Sequence, residues 1–411
     1  MNVLVEPQVL TLDQYSPLIG APEVEELRTL AQPLEGATVD MVNSTAVGGG
    51  VAEILTRILP LIRELGLEAR WQVMEGSADF FEVTKAFHNA LQGGLWKGGE
   101  AGFELFRECN RRNRENMRLK GRFVVIHDPQ PAPFIEARQE NGSGWFWRCH
   151  IDLSHPDPAV WNFLSPWVHR YDGAIFSSPS FARQLPLPQY LFYPSIDPLS
   201  DKNKDLDANF VERVVTGFHI DPERPILTQI SRFDRLKDPV GVIRAYRLVK
   251  RYFDCQLVLA GGSASDDPEG SVVLAETRAE ANNDPDIHIL ELAASAPLEV
   301  NALQRASSIV IQKSLREGFG LTVTEALWKK KPVVASAVGG IPVQIIHKHT
   351  GLLAHSVEGA AYQMRFLLSH PEIGRRLGEQ GHEHVRENFL ITGNVRRYLT
   401  LFLKHARNIS S

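Results

Sequence analysis

The sequence predicts an α/β protein built from two doubly wound domains, and three observations predict it. The chain has 411 residues, about twice what a single hydrophobic core usually organises. Short apolar runs such as Phe123-Val-Val-Ile-His and Cys255-Gln-Leu-Val-Leu-Ala alternate with segments of helical apolar spacing, the pattern of parallel strands covered by helices. The alternation stops once, in a stretch rich in proline and aspartate between residues 186 and 209, and then begins again, as a connection between domains would.

Taken in order, residues 1–36 carry Pro7, Pro17, Pro22 and Pro33 and read as an extended arm with a short helix over 23–30. A strand at 37–43 meets the glycine-rich turn Ser44-Thr-Ala-Val-Gly-Gly-Gly50, and 51–65 has helical spacing. Residues 67–74 form the next strand. Helices follow at 80–91 and 110–119, the second bearing Arg111, Arg112, Arg114 and Arg118 and closed by Gly121. Three further strands, beginning at Phe123, Gly144 and Ala174, end in polar residues. In open parallel sheets ligands sit beyond the carboxyl ends of the strands, so these endings are the first candidates for function. After the connection, strands are expected at 225–231, 255–260, 286–290, 308–312 and 332–336, with a helix at 239–251 and turns at Gly261-Gly262, Gly339-Gly340 and Gly351. The tail from Gly374 is helical and charged, and His382-Glu383-His384 within it reads as a solvated face.

The formal net charge of −5 gives no global basic field for nucleic acid or an anionic membrane. No apolar run is long enough to span a bilayer, and the first residues lack the pattern of a secretory signal. Cys109, Cys149 and Cys255 form no C-x-x-C pair, which suits a reducing, cytoplasmic setting.

The stretch Arg316-Glu-Gly-Phe-Gly-Leu-Thr-Val-Thr-Glu325 places two glycines between two carboxylates, just before a helix-forming run that starts at Glu325. Unencumbered amides entering a helix N-terminus suit phosphate or hydroxyl oxygens, and carboxylates accept hydrogen bonds from sugar hydroxyls. A nucleotide-sugar site fits, and so does a surface turn before an amphipathic helix. Gly48 to Gly50 lack the Lys-Ser/Thr of a P-loop and the third glycine of a dinucleotide fingerprint, which excludes ATPase and NAD readings of that turn. Asp205-Leu-Asp207 offers a D-x-D metal pattern but reads as solvated linker. His150-x-Asp152-x-x-His155 fits either a core histidine or a metal set.

Val47-Gly48-Gly49-Gly50, Ser231-Arg-Phe-Asp-Arg-Leu-Lys-Asp-Pro239, Leu259-Ala-Gly-Gly262, the Glu317 to Glu325 block and Ser336-Ala-Val-Gly-Gly-Ile-Pro342 occur in an order that resembles the retaining GT-B glycosyltransferases, the family of glycogen-synthase-like and sucrose-synthase-like enzymes. Within it, Asn43 to Leu55, His127-Asp-Pro-Gln-Pro and Trp147-Arg-Cys-His-Ile-Asp-Leu-Ser are similar to the trehalose glycosyltransferring synthases. The resemblance implies two Rossmann-like domains facing across a cleft. Residues 1–195 would form the acceptor side, with a C-terminal helix at 390–411 packing back on it, and 210–389 would hold the nucleotide sugar.

The implied activity is reversible transfer of glucose, with retention, from a nucleoside-diphosphate glucose to the anomeric hydroxyl of free glucose, giving α,α-trehalose. A trehalose phosphorylase, another sugar-acceptor transferase and a non-catalytic sugar-nucleotide-binding protein stay open on the same scaffold. The resemblance assigns Arg232 and Lys237 to the diphosphate, Glu317 to the sugar ring, Glu325 to the ribose, and His150 to the donor C6 hydroxyl. Arg232, Lys237, Glu317 and His150 are the catalytic set. The backbone of Gly318, Phe319, Gly320 and Leu321, with Gly49 and Gly50 from the other domain, would approach sugar or phosphate oxygens. Asp128, Gln130 and Asp152 are the acceptor-side candidates. No metal and no cofactor beyond the co-substrate is implied. The expected partners are nucleoside-diphosphate glucose, glucose and trehalose, not nucleic acid or a membrane, and self-association is left open.

Overall fold

A computed structural model describes residues 11–46, 50–139, 142–262, 268–293 and 295–410. The chain divides into two compact units, Met1–Ser195 with Ile391–Ser411, and Ile196–Leu390.

The first unit is built on a six-stranded parallel sheet. Its strands are β1 (Thr38–Asn43), β2 (Glu68–Val73), β3 (Phe123–His127), β4 (Gly144–Cys149), β5 (Gly173–Phe176) and β6 (Gln189–Leu191). Their order is β2-β1-β3-β4-β5-β6, so the direction of winding reverses between β1 and β3. Strands β3, β4 and β5 are buried along their whole length, which is why they are continuous apolar runs with no polar alternation. Helices Gly50–Glu64, Ala78–Leu91, Gly99–Asn116 and Pro158–Val168 supply the layers. Ser77 and Asp157 cap two of them through their side-chain oxygens, and Pro158 stands at the first helical position, where its missing N–H has no consequence.

The helix Ile391–Ser410 belongs to this unit although the chain reaches it last. Phe402 stacks on Phe123 with centroids 4.3 Å apart. Arg148, buried in β4, donates to Tyr398 Oη at 2.5 Å, and Asn394 Nδ2 donates to Ser195 Oγ at 2.9 Å.

The second unit repeats the plan with β7 (Ile226–Ile230), β8 (Gln256–Gly261), β9 (Ile287–Glu291), β10 (Ile309–Gln312), β11 (Val333–Ser336) and β12 (Leu352–Ala354). All pairings are parallel and the order is β12-β11-β10-β7-β8-β9. Winding reverses between β7 and β10, the crevice where doubly wound sheets bind ligands. Apolar cores lie on both faces of the sheet. No helix among the described residues is long and apolar enough to cross a membrane.

Several expectations need correction. Residues 12–19 are helical turns, Leu12–Tyr15 and Ser16–Ile19, and not an extended arm, while residues 1–10 of that expectation lie outside the described residues; Pro17 is accommodated because it stands in the first turn of Ser16–Ile19, where an N–H has no helical partner. The proline-rich connection contains the edge strand β6 and runs into the helix Ala208–Gly217, capped by Asp207. Prolines can flank so short a strand because it lies at the sheet edge. The helix expected at 110–119 is Gly99–Asn116. It buries Gly102, Phe106, Asn110 and Asn113, mostly small or polar residues on the inward stripe, so apolar spacing did not reveal its first half. His382 and His384 are half-buried and engaged, not a fully solvated face: His382 stacks on Trp328 at 4.4 Å, and His384 Nε2 lies 3.2 Å from the Val343 carbonyl.

Candidate active site

In the second unit the reversal of winding brings the loop after β7 beside the loop after β10, and buried polar side chains hold them together. Gln229, at 1% exposure inside β7, accepts from Lys313 N at 3.1 Å and donates to the Lys237 carbonyl at 3.0 Å. Leu315 N donates to the Leu236 carbonyl at 2.7 Å. Asp238 adopts a left-handed backbone with φ 48°, caps the helix Pro239–Lys250 through Gly241 N at 3.0 Å and forms an ion pair with buried Lys313. An aspartate tolerates that conformation better than most residues.

The consequence is a fixed meeting of two predicted residues. Lys237 Nζ lies 2.5 Å from Glu317 Oε2. The same oxygen accepts from Ser314 Oγ at 3.1 Å and from Gln312 Nε2 at 3.5 Å. A carboxylate held by an ammonium and a hydroxyl is committed as a hydrogen-bond acceptor, and the ammonium sits at the carboxyl ends of the central strands where an anionic group would arrive.

Behind Glu317 the chain is packed without slack. Gly339 (φ +55°) lies so close that a Cβ there would fall 1.6 Å from the Glu317 carbonyl oxygen, and Gly340 N donates to that oxygen at 3.3 Å. In front of it, the N–H groups of Gly318, Phe319, Gly320 and Leu321 donate to no described residue. Gly320 (φ +85°) turns the chain into the helix Leu321–Trp328. That helix starts four residues before the expected run at Glu325, so the loop amides and the helix N-terminus coincide, while Glu325 lies inside the helix.

Glu325 is 1% exposed. Its Oε1 is 3.4 Å from Lys202 Nζ, and its Oε2 has no partner. It does not share a contact with Glu317. Arg232, with a side chain 61% exposed, is 3.8 Å from Asp234 Oδ2 and is not joined to the Lys237–Glu317 pair. Phe319 contributes a buried ring packed on Phe389 at 5.7 Å.

In the first unit, Gly49 lies outside the described residues and Gly50 is the exposed first residue of its helix. Beyond β3 and β4 the predicted residues Asp128 and His150 meet. His150 N donates to Asp128 Oδ1 at 2.7 Å, and Asp128 stands in a left-handed conformation with φ 67°, its own N–H donating to the Arg148 carbonyl at 2.8 Å. Burial pushes the Asp128 carboxyl up to about 7 and pushes both His127 and His150 well below the usual histidine range, with the Arg148 charge acting in the same direction. Gln130 Oε1 is buried without a partner. Asp152 turns one oxygen back to Ser154 N at 2.8 Å. His155 Nδ1 faces Ser154 Oγ at 3.1 Å, and no group of three or more His, Cys, Asp and Glu among the described residues could hold a metal ion.

A raised carboxyl pKa sets a sign for stability. Between about pH 4 and pH 7 folded Asp128 keeps a proton that the unfolded chain has lost, so its contribution falls as pH rises through that window and is level above it. Asp128→Asn retains an acceptor for His150 N but cannot ionise. The variant is expected to gain stability relative to wild type between pH 5 and pH 8, read as the shift in urea midpoint at the two pH values.

Residues that sequence reasoning passed over are Gln229, Gln312, Ser314, Lys313, Lys202 and His127. Two of them had a signal: a glutamine near the end of an otherwise apolar strand, as in Ile226-Leu-Thr-Gln-Ile and Ile309-Val-Ile-Gln, must find partners where it is buried.

Two doubly wound parallel sheets, each in its own unit, are the architecture of the GT-B fold, and the family matches make the chain a glycosyltransferase. Residues 215–384 match the family described as glycosyl transferases group 1, and residues 41–183 match the one described as trehalose synthase, N-terminal domain. The chain is 46% identical over 396 residues to a trehalose synthase of Pyrococcus horikoshii, covering 95% of each sequence. It belongs to the trehalose synthase family of glycosyltransferases. Among solved structures, sucrose-phosphate synthase from Thermosynechococcus elongatus superposes with a TM-score of 0.71 at 16% identity, over 90% of this chain and 98% of that one. The α,α-trehalose 6-phosphate synthase from Burkholderia multivorans gives 0.69 at 15%, over 92% and 98%. At that identity they speak for the fold alone.

Proposed function

We propose that this protein is a retaining glucosyltransferase that makes α,α-trehalose, reversibly, from a nucleoside-diphosphate glucose and free glucose. The observation that carries the reading is the Lys237–Glu317 contact at 2.5 Å beside the unengaged amides of residues 318–321. Breaking the bond between the anomeric carbon and the diphosphate leaves negative charge on the leaving oxygens. Preorganised cations and N–H groups stabilise that charge. Lys237 and Arg232 supply the cations, the 318–321 backbone the N–H groups, and Glu317 accepts from the ring hydroxyls of the sugar.

Glu325 is assigned to the ribose, which its unpaired Oε2 supports. Asp128, Gln130 and Asp152 are assigned to the acceptor glucose, and His150 to the donor C6 hydroxyl. No carboxylate nucleophile of the kind retaining hydrolases use is assigned. Glucose instead approaches on the face the diphosphate leaves, and a leaving phosphate oxygen takes its proton. Trapping a covalent glucosyl-enzyme would refute that route. The free cysteines Cys109, Cys149 and Cys255 suit a cytoplasmic setting.

The test is incubation with glucose and, separately, UDP-, ADP- and GDP-glucose, followed by assay for trehalose and nucleoside diphosphate. Trehalose in equal amount to the nucleoside diphosphate is expected with at least one donor. Absence of product with all three, alongside cleavage of trehalose by inorganic phosphate, would replace the reading with a phosphorylase.

A further inference from the structure

We infer that His127 is a positioning residue for His150: its Nδ1–H donates to His150 Nε2 and holds His150 as the tautomer that offers Nδ1–H to a ligand. The inference rests on the function proposed above only for the identity of that ligand, a hydroxyl of the transferred sugar.

The geometry of the two rings carries it. They are nearly parallel, at 12°, with centroids 5.4 Å apart, yet His127 Nδ1 and His150 Nε2 are 3.1 Å apart. Nitrogen atoms so much closer than the ring centres mean that the rings meet edge to edge. The contact is therefore an imidazole–imidazole hydrogen bond and not a stack of faces. A neutral imidazole has one N–H and one bare nitrogen, so one ring donates and the other accepts.

Burial decides which. His127 Nε2 is buried without a partner. Were His150 Nε2 the donor, the His127 proton would sit on that buried Nε2, and orphaned buried N–H groups are rarer than orphaned acceptors. With the proton on His127 Nδ1, the unpaired His127 atom is only a lone pair. His150 then carries its proton on Nδ1, which has no partner among the described residues.

The backbone keeps the pair in register. His127 ends β3 and is paired with Arg148 of β4, two residues before His150. His150 N is tied to Asp128 Oδ1 at 2.7 Å. Arg148, whose guanidinium has no described carboxylate partner and donates to Tyr398 Oη and Asn394 Oδ1, adds positive charge close to both rings and opposes protonation of either. Two neutral rings of defined tautomer follow. A ligand hydroxyl at His150 must then accept there and donate elsewhere, which distinguishes it from a group that can only donate.

Long-range 1H–15N correlation of histidine side chains in ligand-free, 15N-histidine-labelled protein reads the tautomers, with the two signals assigned from variants. Nδ1–H is expected for both rings. His127→Asn places an amide N–H near the former Nδ1 and is expected to keep kcat/KM for the nucleotide sugar within about threefold of wild type, while His127→Leu lowers it about tenfold, the worth of one hydrogen bond. His150 protonated on Nε2, or equal loss in the Asn and Leu variants, overturns the inference. Failure of transfer from every nucleoside-diphosphate glucose, with the Nδ1–H signal present, would instead overturn the function proposed above and leave the tautomer standing.

Discussion

Lys237→Met is expected to lower kcat for glucosyl transfer about a thousandfold, the scale on which a preorganised charge at a developing anion acts. Methionine fills nearly the same space, so the loss would come from charge and not from a cavity. The variant has a second consequence, because Glu317 is only 7% exposed. Without Lys237 its carboxylate keeps Ser314 and Gln312 as donors but loses its cation. Breaking a buried pair from one side costs about 3 kcal/mol, and the two remaining donors should reduce that figure. Lys237→Met combined with Glu317→Gln removes both charges. The double variant is expected to recover most of the urea midpoint while staying as inactive as the single one. Separating the two readouts distinguishes catalysis from folding, and near wild-type turnover in Lys237→Met would remove that residue from the chemistry.

Gly339→Ala is expected to be damaging for two reasons that can be measured apart. Its φ of +55° is one that side chains rarely adopt, and its Cβ would overlap the Glu317 carbonyl oxygen at 1.6 Å. Gly36 has a φ of +72°, but nothing lies within 4 Å of the place a methyl group would take there. Gly36→Ala therefore reports the backbone term alone, about 1 kcal/mol. Gly339→Ala should exceed it by about 2 kcal/mol in chemical unfolding, because the overlapped atom is main chain and the neighbouring loop must move. The move displaces Glu317 from Lys237, so turnover should fall at least tenfold in whatever protein remains folded. Equal stability losses in the two variants would show that the Glu317 loop yields easily.

The doubly wound plan was legible because fully buried parallel strands leave long apolar runs, and β3, β4, β8 and β10 are such runs. Elements that bury small or polar residues were not. The first half of Gly99–Asn116 and the short edge strands β6 and β12 carry too little periodicity to be seen. At the candidate site, Lys237 and Glu317 could be named from ordered motifs, and their contact could not, since it depends on β7 and β10 becoming neighbours across about eighty residues of chain. The polar groups that hold them, Gln229, Gln312, Ser314 and Lys313, acquire meaning only through that adjacency. His127 was hidden in a different way: it stood inside a recognised motif, but the edge-to-edge approach to His150 is a property of side-chain geometry alone.

The helix Ile391–Ser410 has a consequence for how the molecule is made. A ribosome delivers residues 196–390 before the helix that completes the unit begun at the N-terminus. The later unit can finish its fold while the earlier one waits. Until the last helix emerges, Phe123 lacks Phe402, and Arg148 of β4 lacks Tyr398 and Asn394. Order of synthesis and order of completion are thus reversed, and stopping the chain before residue 391 would harm the first-made unit more than the second.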